Sequence, residues 1–395
     1  MYRAESSRPP SGLAITLALL MAFASISTDL YLPAMPRMAR DLAARPGELE
    51  LTLSTFLVGF SLGQMVWGPV SDAFGRRRPL FFGVALFIIA SLGCSFATSV
   101  WQLTAWRVLQ ALGSCVGPVV ARAIVRDCFE RDAAARMLST LALIMGVAPI
   151  LAPLAGGQIM VLASWRAIFW TLGLIGMVTG LAVYLLPETH PAAQRTPVSI
   201  GSIARNYRSL MSDRAFMAYA LIIGSLYAGV YAYIAATPFI YIDYYGVTPQ
   251  AYGWLFGAVI VGMMAMNVVN ARLVMRLGTN RILRFGVCMF LLFGSLAGLV
   301  AWQGWGRLVL LVEMLVVAIA ASSLIVANAI AAALAGQAER AGAASAMVGA
   351  IQYGCGIAGT LAVSWLADGT PRALGFVMIA SALAVATFGL LAPRR

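Results

Sequence analysis

Three ionisable residues occupy positions where ionisable residues are rare. Asp29, Arg107 and Glu313 each lie within a run of about twenty otherwise apolar residues. A charge in such a run costs several kcal/mol and usually marks a pathway. Counted from the ends of their runs at 1.5 Å per helical residue, all three sit roughly 6 to 10 Å in, at one depth. An acid and a guanidinium at one depth are the parts of a proton switch, because the acid keeps its proton when positive charge is remote and gives it up when positive charge draws near. Asp29 is therefore the expected proton carrier and Arg107 its regulator. Glu313 is the second-choice carrier, or the receptor for the positive charge of a cationic molecule. A static salt bridge between Asp29 and Arg107, locking two helices, is the plainer alternative.

Aromatic and amide side chains supply the candidate substrate contacts. Tyr227, Tyr231 and Tyr233, with Phe239 beyond them, form an aromatic set with hydroxyl handles, suited to a lipophilic and often cationic molecule. Tyr31, two residues past Asp29, and the amides Asn328 and Gln352 join that list. An aromatic belt at a membrane interface is the rival for Phe239 and Tyr241, and simple bonding between helices is the rival for the two amides. Five cysteines without paired spacing and a lone histidine, His190, suggest neither a disulfide framework nor a metal site, and no cofactor is expected. No Ser-His pair, His-acid pair or phosphate loop appears in any polar segment, so an enzyme is not expected.

The elements that must position these residues follow from composition. Of 395 residues, 61% are hydrophobic and 11% charged, with mean hydropathy +0.87, against about 25% charge in ordinary soluble domains. A soluble globular protein is excluded. Twelve apolar runs, 13–36, 51–70, 79–98, 101–124, 137–160, 167–186, 216–239, 251–271, 282–302, 308–335, 343–366 and 371–391, each have the length a helix needs to cross a bilayer. Short alternating strands of an outer-membrane barrel are nowhere visible, so the fold class is all-α and integral to the membrane. Arg3 and Arg8 precede the first run as in a signal peptide, but Asp29 interrupts it and no cleavage pattern follows, so it is read as a retained span.

All 27 basic residues are arginine and the net charge is +12, a balance that in a soluble protein would suggest nucleic acid. Position argues for the lipid bilayer as the partner instead. With the N-terminus in the cytoplasm, only Arg37, Arg40, Arg45, Arg166, Arg307 and Arg372 fall on the outer side, and nearly all the rest lie at inner ends and loops. Both termini are then cytoplasmic, and no nucleic-acid partner is expected. The longest polar gap, 188–215, divides a first half, 1–187, from a second, 216–395. An offset of about 203 residues lays Gly278 to Arg281 on Gly75 to Arg78 and each span near its counterpart, a tandem six-span repeat of the kind that holds a substrate at mid-depth.

Four motifs carry a family resemblance. The loop GQMVWGPVSDAFGRRRP, with Gly68, Asp72, Gly75, Arg76 and Arg77, resembles the G-x-x-x-D-R-x-G-R-R signature of the major facilitator superfamily, with Ala73 where the usual Arg follows the acid. Gly68 and Gly75 read as turn residues. The run WRVLQALG, with Arg107, Gln110 and Gly113, is similar to the R-x-x-Q-x-x-G pattern of its proton-coupled members. GVAPILAPLAGG, with Gly146, Pro149, Pro153, Gly156 and Gly157, resembles the antiporter motif, with Ala152 in place of its second glycine. DLYLPAMP, from Asp29 to Pro36, is similar to the signature of the Bcr/CflA branch, named for bicyclomycin and chloramphenicol resistance. The resemblance implies a twelve-helix antiporter in a bacterial inner membrane, acting as a monomer and exchanging protons for drug-like molecules. It also implies that spans one, four, seven and ten line the cavity. In such proteins the loop acid helps close the cytoplasmic gate, and Arg122 and Arg126 are the candidate partners of Asp72. Within the same fold the alternative is a metabolite exporter for a sugar or nucleoside; outside it, a membrane-embedded enzyme or a non-transporting receptor.

Overall fold

The computed structural model describes residues 11–191 and 207–393, apart from 306, 336 and 338–340. The middle of the expected linker, 192–206, lies outside the described residues. Twelve helices among the described residues are long and apolar enough to cross a bilayer, and no strand occurs among them. They are numbered here as spans. Span one begins with the helix Ser11–Asp29 and is followed by a 3-10 turn, Leu32–Ala34, and a short helix, Met35–Asp41. The others are Leu51–Phe74, Arg77–Ser95, Val100–Cys128, Asp132–Leu162, Trp165–Tyr184, Arg214–Tyr244, Pro249–Leu277, Thr279–Gln303, Arg307–Leu334, Ala343–Leu366 and Arg372–Leu391.

Helix starts follow from side chains that satisfy the free N–H groups of a first turn. Ser99 accepts from the amide of Gln102, Asp213 from those of Ala215 and Phe216, and Thr248 from Ala251 ahead of a Pro at the first helical position. Large apolar side chains such as Phe82, Trp101, Leu162, Trp254 and Leu390 point outward. In water that many exposed apolar groups would aggregate; in a bilayer they face lipid.

The chain forms two compact units, Met1–Ala34 with Thr55–Val198, and Met35–Ser54 with Ser199–Arg395. In the first unit span one packs on spans four and five, and span three on spans four and six. In the second, span seven packs on spans ten and eleven, and span nine on spans ten and twelve. Adding six to each span number of the first set gives the second, so the sequence offset reappears as a pattern of packing partners. The segment Met35–Ser54, which joins spans one and two in sequence, groups with the second unit.

Candidate functional site

Arg107 is the centre of the first unit's polar cluster. Its side chain is fully buried. One guanidinium nitrogen, Nη1, donates to the Ser27 carbonyl at 2.9 Å and to Gln110 Oε1 at 2.6 Å. Gln110 Nε2 passes the chain on to Ser91 Oγ of span three at 2.8 Å, and Ser91 donates to the Phe87 carbonyl. The spacing of the R-x-x-Q motif explains the first link, since residues three apart share a helix face. The guanidinium lies between the rings of Tyr31 and Phe56, 4.2 and 4.3 Å from their centroids, an arrangement that favours a desolvated cation. Nε and Nη2 have no hydrogen-bond partner. Three N–H groups of the guanidinium therefore have no protein partner, and the side chain is held by the two Nη1 bonds and the two rings.

Asp29 ends the first helix and is buried. Its carboxylate accepts from Thr28 Oγ1 at 3.0 Å. No ion pair joins it to Arg107 among the described residues; the contact of Arg107 with this helix is to the backbone of Ser27, two residues earlier. The static salt bridge is therefore not what this structure contains. Tyr31, expected among substrate contacts, is fully buried beneath the guanidinium and 6.3 Å from the ring of Phe169.

Glycines bring the helices of this cluster together. A methyl group on Gly156 of span five would collide with the Leu30 carbonyl, the residue after Asp29, and would lie 3.1 Å from Pro33. Gly113 stands against the Gly83 carbonyl of span three, and Gly117 against Leu20 of span one. The antiporter-like motif and the D-x-Y-L-P turn are thus in direct backbone contact. Gly146, Pro149, Pro153 and Gly157 lie on the same helix, which runs unbroken from Arg131 to Leu162 with both prolines inside it.

The loop between spans two and three corrects two expectations. Gly68 is not a turn residue: the helix continues to Phe74, through Pro69, and the turn falls at Gly75, whose φ of +89° suits glycine alone. The ion pair of Asp72 is with Arg76, one helical turn on, at 2.6 Å, and not with Arg122 or Arg126. Arg76 in turn binds Asp127 of span four at 2.8 Å. Burial works against the Arg76 charge, but the hydrogen bonds and charges of Asp127 and Asp72 outweigh it and raise its pKa. Beyond span six, Glu188 accepts from the backbone N–H groups of Arg76 and Arg77 at 2.8 and 3.2 Å. Arg77 reaches the Tyr184 carbonyl at 2.8 Å and lies over the Tyr184 ring. Neither Asp127 nor Glu188 was singled out from sequence, although Asp127 directly follows Arg126 and Glu188 belongs to an LPET run.

In the second unit Tyr227 and Tyr231 lie one turn apart with rings 5.9 Å apart, and Tyr353 of span eleven extends the row at 6.2 Å from Tyr231. Tyr233 does not share their face: it is buried and stacked at 5.8 Å on Phe256 of span eight. Two residues turn a helix by about 200°, so the expected single aromatic face is two opposed ones. Asn328 donates to Asn270 Oδ1 at 2.7 Å and to the Leu324 carbonyl at 2.8 Å, a bond between spans ten and eight. Gln352 is half-buried, and Glu313 is exposed, without a hydrogen bond or ion pair among the described residues. Asp29 and Arg107 are brought into one cluster; Glu313 belongs to the other unit.

Residues 17–247 match the model of the Major Facilitator Superfamily. The chain belongs to that superfamily. It is 36% identical to an uncharacterized MFS-type transporter, YdgK, of Bacillus subtilis, over 85% of this chain and 84% of that one. It is 30% identical to a bicyclomycin resistance protein homolog of Haemophilus influenzae, over 90% of this chain and 89% of that one. Multidrug resistance protein D of Escherichia coli is 32% identical over 65% of this chain and 60% of its own length. These names are consistent with the Bcr/CflA branch. A solved bacterial homolog of the lysosomal transporter Spinster superposes with a TM-score of 0.77 at 15% identity, covering 96% of each chain. The xylose transporter XylE of Escherichia coli superposes with 0.74 at 12% identity, covering 97% of each. The protein is thus a multi-pass membrane transporter with the major facilitator fold, and family and fold are those of transporters rather than enzymes.

Proposed function

We propose that this transporter exports small lipophilic or cationic drug-like molecules from the bacterial cytoplasm in exchange for protons, as a monomer in the inner membrane with both termini inside. The observation that carries the proton half is the cluster around Arg107: a fully buried guanidinium with Nε and Nη2 unused, bonded to span one two residues before the buried carboxyl of Asp29. A small relative movement of spans one and four would bring positive charge to Asp29 or take it away, and so unload or load a proton. The drug half is supported by the relatives named for bicyclomycin and multidrug resistance, and by the Tyr227, Tyr231 and Tyr353 row, whose faces suit flat or cationic molecules. The arginine asymmetry supports the orientation.

The driving force is adequate. A membrane potential of 100 mV supplies about 2.3 kcal/mol per charge and one pH unit about 1.4 kcal/mol, together roughly 3.7 kcal/mol or several hundredfold accumulation of a neutral drug per proton. For a monovalent cation exchanged one for one, the charges cancel and only about tenfold per pH unit remains. The test is drug accumulation in cells producing the protein, with and without an uncoupler. Lower accumulation that the uncoupler abolishes supports the reading; accumulation indifferent to both protein and uncoupler overturns it.

A further inference from the structure

The segment Met35–Ser54 carries an acid that the transport chemistry above does not use. This strap is fastened to the rest of the second unit at separate points. Ser54 Oγ donates to Thr360 Oγ1 of span eleven at 2.7 Å, Ser364 Oγ of the same span donates to the Gly47 carbonyl at 2.6 Å, and Arg40 pairs with Asp243 at the end of span seven at 2.6 Å. Met35, Met38, Leu42, Leu49 and Leu53 are buried along it. At Gly47 the approach is so close that a methyl group would collide with the Ser364 carbonyl, and φ there is +87°. The strap is therefore a fitted part held by a few polar contacts, two of them to a single helix.

Glu50 lies within it, just before the start of span two, and is buried with Oε2 lacking any hydrogen-bond partner. The titratable side chains on the second-unit elements that touch the strap are Tyr241, Asp243 and Tyr244 at the end of span seven, Tyr353 and Cys355 on span eleven, and Asp368 next to Ala367, which faces Gly47. Of the two acids, Asp243 is taken by Arg40, and Asp368 accepts from the amide and hydroxyl of Thr370. On the strap itself Arg37 pairs with Asp41, and Glu48 accepts from the amide of Arg45. Among the described residues no cation bonds to Glu50. A buried carboxyl without a cation beside it is tolerated when neutral and strongly disfavoured when charged.

We propose that Glu50 is a proton-binding site that makes closure of this strap depend on pH. With Glu50 protonated the strap seats on span eleven; with Glu50 ionised the carboxylate draws the strap out into water. The proton is taken up as the strap seats and returned to the same side as it lifts, so Glu50 senses pH and carries nothing across. The orientation proposed above makes that side the outer one. Burial raises the Glu50 pKa from 4.5 to about 7, opposed in part by the backbone amides of Glu50 and Gly47. The sign follows: an acid whose pKa is raised by seating favours the seated state most at low pH. The seated-to-lifted ratio falls about tenfold per pH unit between 4.5 and about 7 and is level above that.

The test is the distance between nitroxide labels on Pro46→Cys of the strap and Trp365→Cys of span eleven. It uses the full chain in lipid nanodiscs, with exposed Cys128 and Cys288 replaced by serine and no drug present. Both faces of a nanodisc meet the same buffer, so the result does not depend on which face is outer. Between pH 5 and 7 the wild-type ratio of short to long distances should fall about fortyfold, the slope flattening as pH nears 7. Glu50→Gln should hold the short distance throughout, and Glu50→Asp should keep a slope. Ser364→Ala should lower the short population at every pH without changing the slope. A wild-type distribution that does not move with pH, or a Glu50→Gln protein that follows the wild-type curve, overturns the proposal. Failure of drug export with the strap response intact would strike at the export reading alone.

Discussion

Replacing Gly156 by alanine tests whether the contact between span five and the D-x-Y-L-P turn is a working part of the site. The added Cβ would stand 3.0 Å from the carbonyl carbon of Leu30, with the carbonyl oxygen nearer still, and 3.1 Å from Pro33 Cγ. Carbon atoms rest about 3.5 to 4 Å apart, so span five has to withdraw by about half an ångström at the carbon and on the order of 1 Å at the oxygen. Both contacts are with backbone or a ring, neither of which can swing aside. Forcing such a shift in a packed interior costs about 1 to 3 kcal/mol. In a unit of this size that corresponds to roughly 2 to 12 °C in Tm. The displaced residue is next to Asp29, and a misplacement near 1 Å in a working constellation can cost about a hundredfold in rate. Gly68→Ala is the internal control: nothing lies within 4 Å of a Cβ there, and the residue is in a helix, where alanine is favoured over glycine by about 1 kcal/mol. The assay is thermal unfolding of the purified protein beside uncoupler-sensitive efflux in everted vesicles. Gly156→Ala should lower both, and Gly68→Ala should hold or raise Tm. A Gly156→Ala protein with wild-type Tm and efflux would refute the close-approach argument, and a destabilised Gly68→Ala protein would refute the placement of that motif glycine inside a helix.

Asp29→Asn should abolish uncoupler-sensitive efflux while leaving drug binding by the purified protein measurable; proton release on drug binding that persists in this variant would move the carrier role to Glu313. Arg107→Lys should lose efflux too, because an ammonium cannot keep both the Ser27 carbonyl and Gln110 while lying flat between Tyr31 and Phe56. Asp127→Asn should cost about 1 to 3 kcal/mol, since it removes a charged partner from buried Arg76. Asp72→Asn should cost less than about 1 kcal/mol, because that side chain is half exposed, yet still slow efflux; equal losses of Tm in the two variants would contradict the ranking. Tyr231→Ala should weaken drug binding with little change in Tm, and Tyr233→Ala should lower stability by about 3 kcal/mol or more with binding kept, because only Tyr233 is fully packed against Phe256.

The spans were legible in the sequence because the bilayer imposes a length and an apolar composition that few other structures share. The polar chain from Arg107 to Gln110 was legible too, since helical spacing of three puts the second beneath the first. What escaped was whatever depended on distance between helices. Asp127 looked like one more charge in a basic stretch, and only the fold brings it to Arg76. Gly68 looked like a turn because it opens the loop motif, but helix hydrogen bonding continues through it to Phe74. Tyr233 looked like a neighbour of Tyr231 because the sequence is linear and the helix is not. Asn328 read as a substrate contact or an interhelical bond with equal right, and its partner Asn270 lies on another span.

Asp29 and Glu50 illustrate why burial alone does not assign a role to an acid. Both are buried and neither is paired with a cation among the described residues. A carrier has to exchange its proton with opposite sides in turn, which requires a second charged group that moves relative to it; Asp29 has Arg107 bonded two residues away. A sensor needs only one environment that hides it and one that does not. Glu50 lies on the strap, whose polar fastenings go to spans seven and eleven, and the proposed lifting moves no other charge across the membrane. Removing the charge therefore has opposite consequences at the two sites. On these two proposals Asn at 29 should stop the cycle, whereas Gln at 50 should bias it toward one closed state and remove its response to pH.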